Sequence, residues 1–187
     1  MKKLSEWLYK VSTNRVTLAW LVAFLLFVLF VLPKAVSTPW IKAAGLPDTM
    51  LRYSSADLYA MAETYGSAGR AAFVRWHFTD DLIFPIIYTV FLLTASSWLI
   101  QRVSPSAAWL RQLNLFPLFG AFFDLLENVT TSFVMAHYPA SSPLAASSAP
   151  IITSAKWLFI GLSALVLIIM GATAIRRCDS PKRGNRD

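Results

Sequence analysis

The sequence has few charged residues, one cysteine and two histidines, and each scarcity excludes a class of protein. Asp, Glu, Lys and Arg make up 14% of the 187 residues, whereas a soluble domain has about 25%. The single cysteine, Cys178, excludes an intramolecular disulfide and CxxC redox chemistry. His77 and His137 are too few for a multi-histidine metal centre. The chain also lacks phosphate-binding and dinucleotide-binding glycine motifs, a GxSxG elbow and an HExxH motif.

Apolar sequence dominates instead, because 56% of the residues are hydrophobic and the mean hydropathy is +0.53. Four apolar runs are long enough to cross a bilayer as helices. They cover about residues 16–32, 82–100, 115–135 and 151–175. We therefore predict an all-α polytopic membrane protein whose four transmembrane helices form an antiparallel bundle. Residues 1–178 are predicted to be one transmembrane domain, and residues 179–187 a disordered cytoplasmic tail.

The positions of the positive charges indicate orientation rather than nucleic-acid binding. The net charge is +7, but the basic residues lie at the ends of apolar runs, so no nucleic-acid partner is expected. Eleven Lys and Arg residues lie on the side of the termini, against five on the other side. This excess predicts a multi-pass protein of the cell (inner or plasma) membrane with both termini cytoplasmic. The first run is longer than a signal-peptide core and is expected to remain as an anchor.

The first outer loop, residues 33–81, is too long for a simple connector. Within it, four apolar residues recur at the spacing i, i+3, i+4, i+7, which predicts a short amphipathic helix over about residues 54–66. These residues are Leu58, Met61, Ala62 and Tyr65. The helix lies on the outer membrane surface, lies over the bundle mouth, or simply packs on the bundle. Gly66 and Gly69 are expected to end it, and residues 140–150 are predicted to be a flexible connector.

Charged residues interrupt the third apolar run. Asp124, Glu127, Asn128 and Thr131 follow the spacing i, i+3, i+4, i+7, so they share one face of the predicted helix. A carboxylate at the bilayer centre costs about 2.5–3.5 kcal/mol on insertion scales, so these side chains need a polar neighbour. That neighbour is either a ligand, ion or water, or a buried hydrogen-bond cluster that fixes helix register. Asp124 and Glu127 are candidate catalytic acids or bases, and Asn128 is a candidate substrate-binding residue.

A second polar set surrounds the start of the second run. His77, Asp81, Pro85 and Tyr88 follow the spacing i, i+4, i+8, i+11 and are predicted to line one face. Asp81 is the third candidate catalytic residue, although Asp80 and Asp81 at a helix start also fit ordinary N-capping. His77 and Tyr88 are candidate substrate-binding residues.

Basic and aromatic residues complete the predicted substrate-binding set. Lys156, in the fourth run, is expected either to snorkel to the interface or to form an ion pair with Asp81 or Glu127. Arg70 either holds a phosphate or carboxylate head group or remains a solvated interfacial charge. Trp157 can help to hold a cation through its ring. Carboxylates are suitable ligands for a hard cation, but the spacing of these acids predicts neither a metal nor a cofactor site.

From about residue 54 onward, the chain resembles an uncharacterised family of small four-span bacterial integral membrane proteins. The resemblance rests on Gly69-Arg70, Asp80-Asp81, Phe84-Pro85, Tyr88, Asp124-x-x-Glu127-Asn128 and Lys156-Trp157. It implies four spans and supplies no activity. A fainter similarity, based on His77, Asp81 and Glu127, is to the emopamil-binding and sigma-2 receptor group of four-helix lipid-binding proteins.

Three functions fit these patterns. The first is binding or converting a lipid-like small molecule in a polar, acidic intramembrane pocket. The second is proton- or cation-coupled transport, or a channel, which needs a homo-oligomer because four spans are few. The third is a non-catalytic membrane assembly subunit whose polar residues bind another membrane protein. We favour the first, and the sequence does not decide whether the protein is an enzyme.

Overall fold

The computed structural model describes residues 2–35, 37–104 and 110–179. The described residues form helices and turns and contain no β-strand. Their α-helices are α1 (Lys2–Val11), α2 (Asn14–Leu26), α3 (Leu32–Ala35), α4 (Pro39–Ala44), α5 (Ser55–His77), α6 (Ile83–Val103), α7 (Phe116–His137) and α8 (Pro143–Asp179). A π-helical segment, Phe27–Val31, joins α2 to α3, and 3-10 turns cover Pro47–Thr49 and Leu110–Leu115. Most of the predicted tail, residues 180–187, lies outside the described residues.

Four helical stretches are long and apolar enough to cross a membrane. They are Asn14–Lys34, Ile83–Val103, Gln112–His137 and Pro143–Arg177. The predicted all-α polytopic bundle is therefore confirmed. The fourth stretch begins at Pro143, so the prediction of a flexible connector over residues 140–150 is wrong for most of that segment. Proline suits a first helical turn, and Ala146 and Ala149 pack into the core, which stabilises the additional turns.

Helices α6, α7 and α8 form the centre of the bundle, whereas the first span packs at its edge against α6. Only 6% of the most apolar stretch of the first span is buried, compared with 56% for α6. Ring stacking attaches this span, because the centroids of Phe24 and Phe91 are 5.1 Å apart. The π-helical segment lies just before Pro33, whose ring would otherwise clash with a carbonyl one turn earlier. The four spans are therefore unequally packed.

Helices α7 and α8 approach each other closely at Gly120. A Cβ at this position would lie 3.1 Å from Cγ1 of Ile160 and 3.7 Å from its backbone nitrogen. Gly120→Leu is therefore expected to lower the free energy of unfolding by about 1–3 kcal/mol through overpacking. Gly161→Leu is the matched control, because nothing lies within 4 Å of a Cβ there. Thermal unfolding in detergent measures both variants, and equal stability of the two would contradict the close packing.

The two ends of the bundle differ in structure. At one end, the Arg177 guanidinium donates to the Val103 carbonyl and Gln101 Nε2 donates to the Tyr9 carbonyl at 2.8 Å. This end, which holds α1 and the ends of α6 and α8, is called the terminal face. The opposite end, called the loop face, is covered by α4, α5 and the turn Pro47–Thr49. The candidate site lies toward the loop face.

Helix α5 packs on the bundle at the loop face. Leu58 and Ala62, on its predicted apolar face, are fully buried and share a core with Val134 of α7 and Ala149 of α8. Ser54 begins the helix with a capping box, in which its Oγ accepts from the Asp57 backbone N–H. The packing alternative for this helix is therefore the one that the structure adopts.

The first segment of this helix ends at Gly66, as predicted, but a second segment follows, so the prediction that Gly69 ends the helix is wrong. Gly66 adopts φ 64° and ψ 177°, a left-handed conformation that favours glycine, so the helix kinks there and then resumes. Gly69 lies in the resumed part, where its missing Cβ lets Trp40 pack within about 3.1 Å. The resumed segment ends at His77 and thereby carries that side chain to the site.

Candidate functional site

Lys156 is the centre of a buried ion-pair cluster. Its Nζ forms an ion pair with the Glu127 carboxylate and lies 3.7 Å from Oδ1 of Asp124. It also donates to the Asp48 carbonyl at 3.2 Å. Lys156 is 4% exposed and Glu127 is 0% exposed, so this lysine pairs inside the bundle and does not snorkel to the interface. Burial of such charges is tolerated only with close partners of this kind.

Hydroxyl groups complete the hydrogen bonds of the two carboxylates. Thr153 Oγ1 donates to Glu127 Oε1, and the Tyr53 hydroxyl lies 2.9 Å from Thr153 Oγ1. The Tyr88 hydroxyl donates to Asp124 Oδ2 at 2.8 Å. Sequence reasoning missed Tyr53 and Thr153. Thr153 precedes Lys156 by one helical turn, so helical spacing could have indicated it.

A second polar group joins the turn Pro47–Thr49 to the end of α5. His77 Nε2 lies 3.1 Å from Asp48 Oδ2, and Asn128 Nδ2 donates to Asp81 Oδ2 at 2.9 Å. Asp48 was not predicted, because it lies in an irregular loop where no periodicity places a side chain. The nearest ligand atoms of Asp48, His77 and Asp81 all lie within 4.8 Å of one another.

Two expectations for this region are wrong. Helix α6 is preceded by Leu82, which makes no side-chain cap, so Asp81 does not act as an N-cap and instead accepts from Asn128. His77 and Tyr88 also do not share one helix face, because α5 ends at His77 and α6 begins at Ile83. The turn between the two helices nevertheless places the Asp81 carboxylate close to the His77 imidazole.

Burial and neighbouring charges shift the pKa values in this polar group. Burial raises the pKa of Asp81 to about 7, and the nearby Asp48 carboxylate adds to the rise. Burial alone would also raise the pKa of Asp48. The attraction of the His77 imidazole is stronger, so the pKa of Asp48 is lowered. The same attraction raises the pKa of His77 in spite of the burial of its ring. The Asp48–His77 pair therefore favours opposite charges, whereas Asp81 holds or releases a proton near neutral pH.

A cavity of about 540 Å³ lies between the first span, α6 and α8, with its polar end at these groups. Its size is typical of ligand pockets. Most of its wall is apolar or aromatic, and the charged and hydroxyl-bearing exceptions cluster together. These exceptions are Asp48, Thr49, Asp81, Tyr88, Asp124 and Lys156. Ile168 lines the cavity and is 68% exposed on the bundle surface, so the cavity reaches the lipid-facing side of the protein.

The structure brings most of the predicted site residues together, some in the wall of the cavity and some buried behind it. Asp81, Tyr88, Asp124, Lys156 and Trp157 line the cavity. Behind that wall lie three residues of 0–1% exposure, His77, Glu127 and Asn128. The indole Nε1 of Trp157 donates to the Asp48 carbonyl at 3.0 Å.

Arg70 does not lie at the cavity. Its guanidinium donates to the Ala62 carbonyl at 2.8 Å and lies 4.8 Å from the centre of the Tyr138 ring. It therefore joins the two segments of α5 to the end of α7, a structural contact.

Comparison of the chain with protein-family models, with curated proteins and with solved structures gave no match. The resemblance to small four-span bacterial membrane proteins, and the fainter similarity to the emopamil-binding group, therefore stay predictions. The function must be argued from the site.

Proposed function

We propose that this membrane protein binds a lipid-like small molecule in the cavity between its first span, α6 and α8. The observation that supports this most directly is the polarity of the cavity wall. It is apolar along most of its length and ends at Asp81, Tyr88, Asp124 and Lys156. Such a wall suits an amphiphile whose tail contacts the apolar part and whose head group meets the charged end.

The charged end favours a head group that donates hydrogen bonds. The Lys156 ammonium is already directed at Glu127, Asp124 and the Asp48 carbonyl, so it offers little to an anionic ligand. Asp48, Asp81 and Asp124 are among the residues that line the cavity. Carboxylate oxygens accept hydrogen bonds and attract positive charge. We therefore infer a hydroxyl or amine head group.

The position of the first span supports entry of the ligand from the bilayer. This span is the least buried of the four, and Phe24 from its helix forms one wall of the cavity. Leu167 and Ile168 of α8 form part of the opposite wall. A ligand that enters between these helices never has to cross water with its tail exposed. By the Lys and Arg excess at the terminal face, we place the head group in the outer leaflet.

Conversion of the ligand would use the acids that reach it. Asp81 and Asp124 line the cavity, whereas Glu127 is fully buried behind Lys156. A carboxyl group that titrates near neutral pH suits acid–base chemistry, and Asp81 has this property. Glu127 is better suited to hold Lys156 in position.

Filling the cavity tests the proposal. Ala164 of α8 lines the cavity, and Ala164→Trp is expected to abolish retention of a lipid-like molecule by the purified protein. Ala172→Trp, on an exposed part of the same helix, is expected to retain it. Native mass spectrometry from detergent measures the bound mass, with thermal unfolding as a check that both variants are folded.

Each outcome of that experiment bears on one of the three functions. Loss of the ligand in Ala164→Trp alone supports a binding pocket. Equal retention by both variants contradicts it, because the molecule then sits elsewhere. Absence of any ligand from the wild-type protein, with both variants stable, favours ion transport or partner binding over the proposal.

A further inference from the structure

Three side chains outside the membrane-spanning helices converge on one point beside the cavity. They are Asp48 from the turn Pro47–Thr49, His77 from the end of α5, and Asp81 from the turn before α6. One imidazole nitrogen and two carboxylate oxygens lie within 4.8 Å of one another. His77 and Asp81 are only four residues apart, whereas Asp48 is distant in sequence and is brought to them by the fold.

The hydrogen bonds of His77 define which ring nitrogen faces the cluster. The ring is fully buried, and Nδ1 lies 2.9 Å from the Phe73 carbonyl. Because a carbonyl only accepts, Nδ1 carries a hydrogen. Nε2 then faces Asp48 Oδ2 at 3.1 Å. In the neutral imidazole two lone pairs would meet there, so either a proton or a cation must lie between them. An Nδ1–H bond to a backbone carbonyl is also the usual support of a metal-binding histidine.

Two buried oxygen atoms at the cluster have no hydrogen-bond partner among the described residues. They are Asp48 Oδ1 and Asn128 Oδ1. Asn128 is 1% exposed, and the nitrogen of its carboxamide is held 2.9 Å from Asp81 Oδ2, so its oxygen lies at the same cluster. A buried acceptor left unpaired costs about 1–3 kcal/mol. A cation would satisfy such oxygens.

We propose that Asp48, His77 and Asp81 bind a divalent transition-metal cation at the loop face, with Asn128 beside it. Ligands about 2.0–2.2 Å from a metal lie about 3.0–3.5 Å from each other, which matches the Nε2–Oδ2 separation. One imidazole with carboxylates favours Zn²⁺ or Mn²⁺ over Mg²⁺. The two positive charges of the cation would also offset the excess of carboxyl groups over the positive charge of Lys156. Asp48 and Asp81 line the cavity, so a remaining coordination position faces it.

Metal binding at this cluster does not depend on lipid binding. Three protein ligands and an open position are the arrangement of catalytic rather than structural zinc sites. The cation lies at the polar end of the cavity, next to where a head group would lie. A metal can therefore be tested without any knowledge of the amphiphile.

Zinc binding by the full-length protein in detergent tests the site. The protein is stripped with EDTA, dialysed against Zn²⁺, and analysed for bound metal and for thermal unfolding. Wild-type protein is expected to bind about one Zn²⁺ ion per chain, with a raised Tm. His77→Gln and Asp81→Asn are each expected to weaken binding by about tenfold or more. His137→Gln is the matched control, because His137 also places Nδ1 by a carbonyl four residues earlier but is exposed.

Two results would overturn the proposal. If wild-type protein binds no Zn²⁺, Asp48 and His77 form an imidazolium–carboxylate ion pair only. If His77→Gln binds Zn²⁺ as tightly as wild type, the metal lies elsewhere. Pulsed EPR of the Mn²⁺-loaded wild-type protein adds a test that does not depend on variants folding. Coupling to one imidazole nitrogen is expected, and bound Mn²⁺ without nitrogen coupling contradicts the site.

Discussion

Replacing Lys156 by methionine is expected to lower the free energy of unfolding by about 3–5 kcal/mol. The reason is that Glu127, which is fully buried, loses its charge partner. Asp124 loses its ion-pair neighbour at 3.7 Å. Methionine fills a similar volume, so the loss measures electrostatics rather than a cavity. Thermal and denaturant unfolding in detergent give the measurement.

A double variant separates the effect of the unpaired Glu127 charge from the effect of the other contacts of Lys156. Lys156→Met/Glu127→Gln removes both partners, and a buried pair replaced as a unit is often close to neutral in stability. Because the carboxamide oxygen introduced by Glu127→Gln would still accept from Thr153, we expect the double variant to recover more than half of the lost stability. Lys42→Met, at an exposed lysine of α4, is expected to change stability by less than about 0.5 kcal/mol.

The opposite result has a distinct meaning. A double variant as unstable as Lys156→Met would show that the lysine acts mainly through its other two partners, the Asp124 carboxylate and the Asp48 carbonyl. In that case the charge of Glu127 has little effect on the stability of the bundle. The energy of interaction between the two positions follows from the four stabilities of the cycle.

An ion pair of Lys156 is one of the two alternatives that the sequence leaves open, because the physics of the bilayer restricts the choices. A carboxylate in an apolar run needs a partner, and Lys156 is the lysine inside the fourth run. Of the two partners left open for Lys156, Asp81 and Glu127, the structure pairs it with Glu127. The competing snorkelling interpretation is wrong, because Lys156 is 4% exposed. The sequence does not provide the depth at which the two helices meet.

The position of Asp48 in the site cannot be predicted from such patterns. It occupies an irregular segment between α4 and α5, where a side chain's direction depends on how the whole loop folds. Its contacts are with His77, Lys156 and Trp157, which are distant in sequence. Periodicity carries no information about contacts of this kind. The start of α8 at Pro143 and the second segment of α5 after Gly66 were not predicted for a related reason, since tertiary packing stabilises helix there against local breakers.

The proposed head-group preference leads to the second large effect. We expect dodecylamine to bind the wild-type protein about 10–100-fold more tightly than dodecanoate, with EDTA present to remove divalent cations. A hydrogen bond to a charged group contributes about 1.5–3 kcal/mol, and about 1.4 kcal/mol corresponds to tenfold in Kd. A carboxylate head group instead meets Asp81 and Asp124 in the cavity wall and is repelled by like charge.

Asp124→Asn tests the origin of that preference. The Asn side chain has nearly the same shape and still accepts from Tyr88, so the fold is expected to persist, whereas the negative charge is lost. The preference for the amine should fall to about threefold or less, because the charge-assisted bond is gone. Asp80→Asn, at an exposed acid of the same turn as Asp81, should leave the preference unchanged.

Binding measured in lipid nanodiscs avoids competition from micelles for the two amphiphiles. If dodecanoate binds as tightly as dodecylamine, the Lys156 charge is available to the ligand and the head-group inference is wrong. If Asp124→Asn and Asp80→Asn lose the preference equally, the effect is one of net charge at long range. A loss of the preference confined to Asp124→Asn supports a head group at the end of the cavity that Asp124 and Tyr88 form. The side chains of these two residues share a direct hydrogen bond of 2.8 Å.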